Sequence, residues 1–287
     1  MTVAFLGLGA MGARMAAHVL DAPDTALTVW NRSPERAAPL TERGATVAAT
    51  PREAAAGAEV VVAMVTDDEA SRAVWTGPDG ALAGLGTGAV AVEASTLTPA
   101  WVRELGAAAA AAGGRFTDAP VLGSRPQADA AALVTVAGGD AAALGAARPV
   151  VDAYSGAVHH VGAVGAGAAI KLAVNALFGV QVAAVAELLA VLRAEGLDEA
   201  RAVEVLGAVP VTSPAARGAM GAIAARAYAP LFPIDLVEKD LGYAAATAAA
   251  HGSDVPTTAG ARVAFQRAQA AGHGGTNITG VAQVFGG

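Results

Sequence analysis

Lysine is rare in this chain of 287 residues: of 18 basic side chains, only Lys171 and Lys239 are lysines. Asparagine is nearly as scarce, with Asn31, Asn175 and Asn277 alone. Yet Lys171 and Asn175 stand four apart within the apolar stretch "GAGAAIKLAVN" (165–175). On a helix that spacing projects both from one face. A lysine so placed can give a proton to a carbonyl oxygen as hydride reaches its carbon, or take it back in the reverse direction. Its ordinary pKa of about 10.4 must be lowered by burial if it is to act as a base near neutrality. The asparagine amide one turn on can hold the lysine or a substrate by hydrogen bonds. The competing reading is a snorkelling lysine whose stem covers apolar surface.

A second chemical motif opens the chain. "AFLGLGAMGARMAAHVL" places Gly7, Gly9 and Gly12 as G-x-G-x-x-G between a strand pattern and a helix pattern, with Leu8, Ala10 and Met11 between them. The first glycine permits the tight turn, the second lets a pyrophosphate approach the backbone, and the third allows close helix–strand packing. The helix N-terminus adds N–H groups and a favourable dipole for phosphate. The competing reading is an ordinary strand–helix turn in a glycine-rich chain. The next strand, "ALTVW", ends in Asn31, Arg32 and Ser33, while Asp24 precedes it. A site for NAD usually carries a carboxylate at that strand end to bind the ribose 2′-hydroxyl. An arginine flanked by small polar groups suits a 2′-phosphate instead. NADP is therefore the expected cofactor, with NADPH preferred over NADH, unless Arg32 is simply a solvated surface residue.

These residues need elements to position them. "TVAFLGLG", "ALTVWNRS", "EVVVAMV", "GAVAVEAS", "GRFTDAP", "ALVTVAGG" and "AVHHVG" read as strands. Helical patterns at 10–20, 34–43 and 99–112 fall between them. Apolar strands alternating with helices indicate a mostly parallel sheet covered on both faces. Residues 165–194 form one helical pattern that Gly196 terminates, and Asp198 is placed to cap the next. Helices follow near 198–208, 214–227, 235–251, 257–271 and 277–285, punctuated by prolines 210, 214, 230, 233 and 256. The expected fold is α/β: an N-terminal Rossmann-type doubly wound sheet (1–163), a long interdomain helix (164–195) and an all-α C-terminal domain (196–287).

Several motifs together resemble the β-hydroxyacid dehydrogenase family, which includes 3-hydroxyisobutyrate dehydrogenases and glyoxylate/succinic semialdehyde reductases. "GLGAMG", "NRS", "DAPVLGS", "GAVGAGAAIKLAVN" and "EKDL" occur in the family's order, from Val3 to about Phe285. The resemblance implies a 6-phosphogluconate dehydrogenase-like C-terminal domain and a homodimer or homotetramer. It matches Lys171 to the catalytic lysine and Asn175 to the asparagine beside it. It matches Ser95 and Thr96 of "EASTLTP" to a Ser-Thr pair near the nicotinamide. Met64, Val65 and Thr66 of "MVTDD" match the segment beneath the adenine-side ribose and the nicotinamide. Lys239 matches a lysine near cofactor and substrate, so both lysines of the chain fall on the family's lysine positions. Arginine would serve badly there, because its pKa is too high to cycle a proton.

Two positions depart from the family pattern. Leu122, before Gly123 and Ser124, stands where a serine usually helps to hold the substrate. Asn277 in "GHGGTN" stands where aspartate is common. "GSRPQADAAALVTVAGG" is closer to the glyoxylate/succinic semialdehyde reductase branch. The expectation is thus an NADPH-dependent oxidoreductase acting on a small aldehyde or keto acid, or on a 3-hydroxy acid in reverse. The alternative is an imine reductase of the same architecture: Leu122 and an apolar pocket favour a non-acid substrate, while Lys171 argues against that assignment; a non-catalytic NADP-binding interaction protein would be expected to lose the lysine.

Bulk properties narrow the classes further. A net charge of −7 argues against nucleic acid or an anionic membrane as partner. With no cysteine there is no disulfide, thiol catalysis or zinc–thiolate site. His159 and His160 point to opposite faces of a strand, a poor metal pair with packing as its expected role. The three tryptophans, Trp30, Trp75 and Trp101, are scattered and make no base-stacking platform. Asp67, Asp68 and Glu69 complement a helix N-terminus. Asp240 either orients Lys239 or lies on the helix surface. No secretory signal is expected, and a cytoplasmic location follows as the expectation.

Overall fold

The computed structural model describes residues 1–286. The chain forms two compact units, Met1–Lys171 and Leu172–Gly287. The first contains nine strands: β1 (Thr2–Leu6), β2 (Ala26–Trp30), β3 (Thr46–Val47), β4 (Val60–Ala63), β5 (Val90–Glu93), β6 (Arg115–Asp118), β7 (Val121–Leu122), β8 (Leu133–Gly139) and β9 (Ser155–Gly162). Their order is β3-β2-β1-β4-β5-β6-β8-β7, with β9 also paired to β8. The first six are parallel, in the doubly wound order that reverses direction between β1 and β4. β8 runs antiparallel to β6 and β7 and parallel to β9.

The sequence explains why these strands are central. Side chains alternate faces, so a strand buried on both must be apolar throughout. Val3 and Phe5 of β1 enter one core with Val60, Val62, Val90 and Val92. Ala4 and Leu6 enter the other, with Val61, Ala63 and Ala91. Helix Gly12–Asp21 supplies Met15, Ala16 and Val19 to the first core, and helix Pro99–Ala111 supplies Trp101, Val102 and Leu105 to the second.

The expected helix at 34–43 is instead a 3-10 turn, Pro34–Ala37, followed by a single α-turn, Ala38–Thr41. Pro39 lacks the N–H needed to carry a helix through. Strands β3 and β7, each two residues long, were too short to leave a periodic pattern. His159 and His160 are exposed rather than packed, because β9 pairs on one side only; the His160 ring hydrogen-bonds the Gly139 carbonyl at 2.8 Å.

The long helix, Ala166–Ala194, has the expected extent. Its length and composition alone would suffice to cross a membrane. Lys171 and Asn175, however, are among its buried residues, and Leu172, Val182, Ala186 and Leu189 are core positions. In the second unit the remaining part of this helix packs with Glu199–Ala208, Pro214–Ala224, Ile234–Ala250 and Pro256–Ala270. Gly196, at φ +81°, ends the long helix, and the Asp198 carboxylate accepts the Arg201 N–H at 2.9 Å as N-cap. The C-terminal segment expected as a helix at 277–285 is a 3-10 helix, Ile278–Val284.

Tyr154 is fully buried in the first core, and its hydroxyl has no hydrogen-bond partner among the described residues. Burial, with the nearby Asp152 charge, pushes its pKa well above the usual phenol value. An unpaired buried hydroxyl carries its desolvation cost of about 1–3 kcal/mol without return. Tyr154→Phe should therefore leave unfolding free energy within ~0.5 kcal/mol of the parent or raise it, measured by urea titration. A loss above ~2 kcal/mol would show that the hydroxyl does have a partner.

Candidate active site

The glycine loop lies at the point where the strand order reverses. A Cβ at Gly7, whose φ is +96°, would stand 2.3 Å from the Met64 carbonyl oxygen; one at Gly12 would stand 2.0 Å from that of Gly7. Both glycines thus let backbone segments touch. Gly9 is different, since a Cβ there meets nothing within 4 Å. Its outer face is where a diphosphate can approach, over a helix N-terminus that no side chain caps. Asn31 braces the loop: its Oδ1 accepts the Leu8 N–H at 2.8 Å, and its Nδ2 donates to the Ser33 carbonyl at 2.9 Å. Arg32 is exposed beside them and enters no hydrogen bond or ion pair among the described residues. These residues fit a nicotinamide dinucleotide.

The ends of β4 and β5 are joined beneath this edge. Ser95 is 2% exposed, and its Oγ accepts the Val65 N–H at 2.8 Å. The Ser95 N–H donates to Glu93 Oε1 at 2.9 Å. Glu93 itself is fully buried, and its Oε2 accepts from Ser71 Oγ at 2.7 Å and Trp75 Nε1 at 2.8 Å. Trp101 Nε1 donates to Ser71 Oγ at 2.9 Å, so two tryptophans scattered in sequence share one network. Burial pushes the Glu93 carboxyl above the usual carboxylate range, and its donors from Ser95, Ser71 and Trp75 pull it partway back. Sequence reasoning missed Glu93 and Ser71. The available signal was a single carboxylate ending the apolar run "GAVAVEAS". Asp67 caps the helix Asp68–Trp75 through the Ala70 N–H. Asp68 does more than complement the dipole: it accepts from both the N–H and the hydroxyl of Thr98, at 2.9 and 2.6 Å.

Leu122 lies half-buried in β7, opposite Val134. Gly123 follows at φ +118°, and the Ser124 N–H donates to Gln127 Oε1 at 2.9 Å, opening the short helix Arg125–Asp129. On the long helix Lys171 and Asn175 are both 8% exposed.

The second unit holds an arrangement of its own around Asn175. Its Nδ2 donates to Asp240 Oδ2 at 2.6 Å, and Lys239 Nζ stands 2.9 Å from Asp240 Oδ1. Asp240 is 2% exposed, so it is a buried link between Asn175 and Lys239 rather than a surface carboxylate. Lys239 Nζ also lies 4.5 Å from the centre of the Tyr243 ring. Asn277, the departure from aspartate, is a structural brace: its Oδ1 accepts the N–H groups of Leu231 and Phe232 at 3.2 and 3.0 Å, and its Nδ2 donates to Thr279.

The loop geometry separates binding from folding. Gly9→Ala should keep the cofactor-free melting temperature within about 2 °C, while weakening nicotinamide dinucleotide binding by about tenfold or more, ~1.4 kcal/mol. Gly12→Ala should instead destabilise the cofactor-free protein. Calorimetry and fluorescence titration of both variants test this, and the opposite ordering would contradict it.

Comparison with known proteins agrees with this geometry. Residues 2–162 match the NAD-binding domain of 6-phosphogluconate dehydrogenase, and 165–285 match the NAD-binding region of NADP-dependent 3-hydroxyisobutyrate dehydrogenase. The chain is 35% identical to a 3-hydroxyisobutyrate dehydrogenase of Pseudomonas aeruginosa, over 99% of this chain and 98% of that protein. It is 31% identical to glyoxylate/succinic semialdehyde reductase 1 of Arabidopsis thaliana, over 98% and 97%. Among solved structures, Mycobacterium tuberculosis 3-hydroxyisobutyrate dehydrogenase with L-serine superposes with a TM-score of 0.90 at 31% identity, covering 98% of both chains. With a dinucleotide loop at the switch point and a lysine–asparagine pair on the long helix, the chain belongs to the β-hydroxyacid dehydrogenase family of NAD(P)-dependent oxidoreductases.

Proposed function

We propose that the protein is an NADPH-preferring reductase of a short aldehyde or keto acid, or in reverse an oxidant of a 3-hydroxy acid, with Lys171 as proton donor and acceptor. The observation that carries this reading is Lys171 itself, one of two lysines in the chain and buried on the long helix of a family member. Bound nicotinamide supplies or accepts the hydride. Lys171 Nζ gives a proton to the carbonyl oxygen in reduction and takes it from the hydroxyl in oxidation. Asn175 is held by Asp240, which leaves its amide oxygen to orient the lysine or the substrate. Lys239 serves substrate and cofactor, with its ammonium placed by Asp240 and Tyr243. The family resemblance supports assigning Thr96, Gly123 and Ser124 to substrate and nicotinamide binding as well. Leu122 replaces a hydroxyl with apolar bulk, which favours substrates less polar at that end.

Arg32 carries the cofactor preference, since its exposed guanidinium has no competing partner among the described residues and suits a 2′-phosphate. We also assign the protein to the cytoplasm as a homodimer or homotetramer. Support for assembly comes from an apolar stripe on the long helix: Val174, Leu177, Leu188 and Val191 are 38%, 61%, 54% and 53% exposed at coiled-coil-like spacing.

Lys171→Ala should lower kcat by about 10²–10⁴ with the fold intact, whereas activity within a few-fold of the parent would refute the proton relay. Arg32→Ala should shift the NADPH/NADH ratio of kcat/KM towards NADH; equal efficiency of the two cofactors in the parent enzyme would already sink the preference. NADPH oxidation across glyoxylate, succinic semialdehyde, other semialdehydes and cyclic imines tests the substrate class. A response to imines alone would favour imine reduction, and turnover of any of them excludes a non-catalytic role. Leu177→Glu with Leu188→Glu should reduce the assembly to monomers by light scattering; an unchanged mass would place the interface elsewhere.

A further inference from the structure

The first turn of the long helix has a feature that its own sequence leaves unprovided for. The first N–H groups of any helix lack intrahelical acceptors and are usually satisfied by Ser, Thr, Asp or Asn at the N-cap. The preceding residues here, "HHVGAVG", contain none of these, and Gly165 holds φ at +92°. The acceptor comes from Asp118, at the end of β6. Its Oδ1 accepts the Gly165 N–H at 2.8 Å and its Oδ2 accepts the Ala168 N–H at 2.9 Å.

Space for this contact is made by two glycines. A Cβ at Gly167 would stand 2.8 Å from Asp118 Oδ2 and 2.4 Å from the Val136 carbonyl oxygen. One at Gly138, which pairs with Asp118 across the β6–β8 ladder, would stand 2.6 Å from Oδ1. The carboxylate is inaccessible to solvent, and its negative charge complements the helix dipole. Burial pushes its pKa above the usual carboxylate range, while the helix amides pull against that shift.

Lys171 follows Ala168 by three residues, within one turn and ~4.5 Å along the axis. Helical side chains lean towards the N-terminus, so the lysine leans over the turn that Asp118 holds. The same strand end runs directly into residues 119–124, which carry Leu122, Gly123 and Ser124. We propose that Asp118 is a positioning residue for proton transfer: by capping the long helix from β6, it fixes Lys171 relative to the Leu122–Ser124 segment and the strand ends of the dinucleotide fold. This rests on Lys171 being the proton-transfer group. A misplacement of about 1 Å in such a group can cost ~10²-fold in rate.

The test is a double-mutant cycle on the full-length protein, reading kcat and the NADPH dissociation constant. Asp118→Asn keeps the shape but turns one acceptor into a donor against a backbone N–H. It should lower kcat by about 10–100-fold while the NADPH dissociation constant stays within about threefold. Adding Asp118→Asn to Lys171→Ala should cost nothing further, because the positioned group is gone. Multiplicative losses in the double variant, or an unchanged kcat in Asp118→Asn, would overturn the proposal even if Lys171→Ala alone is severely impaired. A nearly active Lys171→Ala would overturn the underlying assignment of the lysine, and this proposal with it. Should Asp118→Asn fail to fold, hydrogen exchange on the parent protein still decides. The Gly165 and Ala168 amides must be as protected as the helix interior, and exchange at the rate of an open helix end would refute the cap.

Discussion

Buried backbone N–H groups must find acceptors, and the glycine-loop edge of the first unit's sheet is arranged around that requirement. Parallel strands stop at one edge, and each loop leaving that edge exposes amides that neither sheet nor helix satisfies. In this chain the residue at or just beyond the strand end carries a polar side chain that supplies the acceptor. Asn31 after β2 takes the Leu8 N–H, Ser95 after β5 takes the Val65 N–H, and Glu93 takes the Ser95 N–H. Asp118 at the end of β6 takes the two amides of the long helix. The Asn31, Ser95 and Asp118 bonds each tie one loop or helix end to another strand end, so the glycine loop, the Met64–Thr66 segment and the start of the lysine helix are each braced separately.

The arrangement accounts for an otherwise costly choice. Glu93 and Asp118 are carboxyls with no accessible surface, and burying a charged group without partners is strongly unfavourable. Both are surrounded by donors instead. Replacing either with an apolar residue would remove the carboxyl's desolvation cost but strand several N–H and O–H groups, each costing about 1–3 kcal/mol. The polar network is therefore bound to the loops it braces, and the apolar strands below provide the rigid floor.

Much of this was legible in the sequence because it repeats. Alternation on β1, β4 and β5, the glycine spacing and the long helical period are local patterns, and they gave the α/β unit, the loop and the helix. The motif match singled out Lys171, Asn175 and Lys239, of which Asn175 and Lys239 meet at Asp240. What the sequence did not disclose was pairing at a distance. Asp118 meets Gly165 across 47 positions and Asn175 meets Asp240 across 65, and no spacing rule links them. Asp118 lies inside "DAPVLGS", yet a motif letter does not say whether its carboxylate faces a ligand or a helix end. Two-residue strands and the break at Pro39 escaped for a related reason, being shorter than any period that could reveal them.

The scarcity of lysine can now be read chemically. Sixteen arginines serve where a permanent positive charge is enough, as in the paired contacts of Arg193 and Arg226 with Glu199. Such forks bind carboxylates well, and their pKa keeps them from exchanging protons. A lysine ends in a compact ammonium that can be both desolvated and deprotonated. At Lys239 that ammonium is fixed by Asp240, which also holds Asn175. The second unit thus joins one lysine position to the asparagine of the other through a single buried carboxylate. An arginine at 239 would bring a planar fork to a carboxylate whose second oxygen is already taken by an amide, and bidentate pairing would displace Asn175. The proposed proton transfer calls for lysine at 171, and the geometry of Asp240 calls for it at 239.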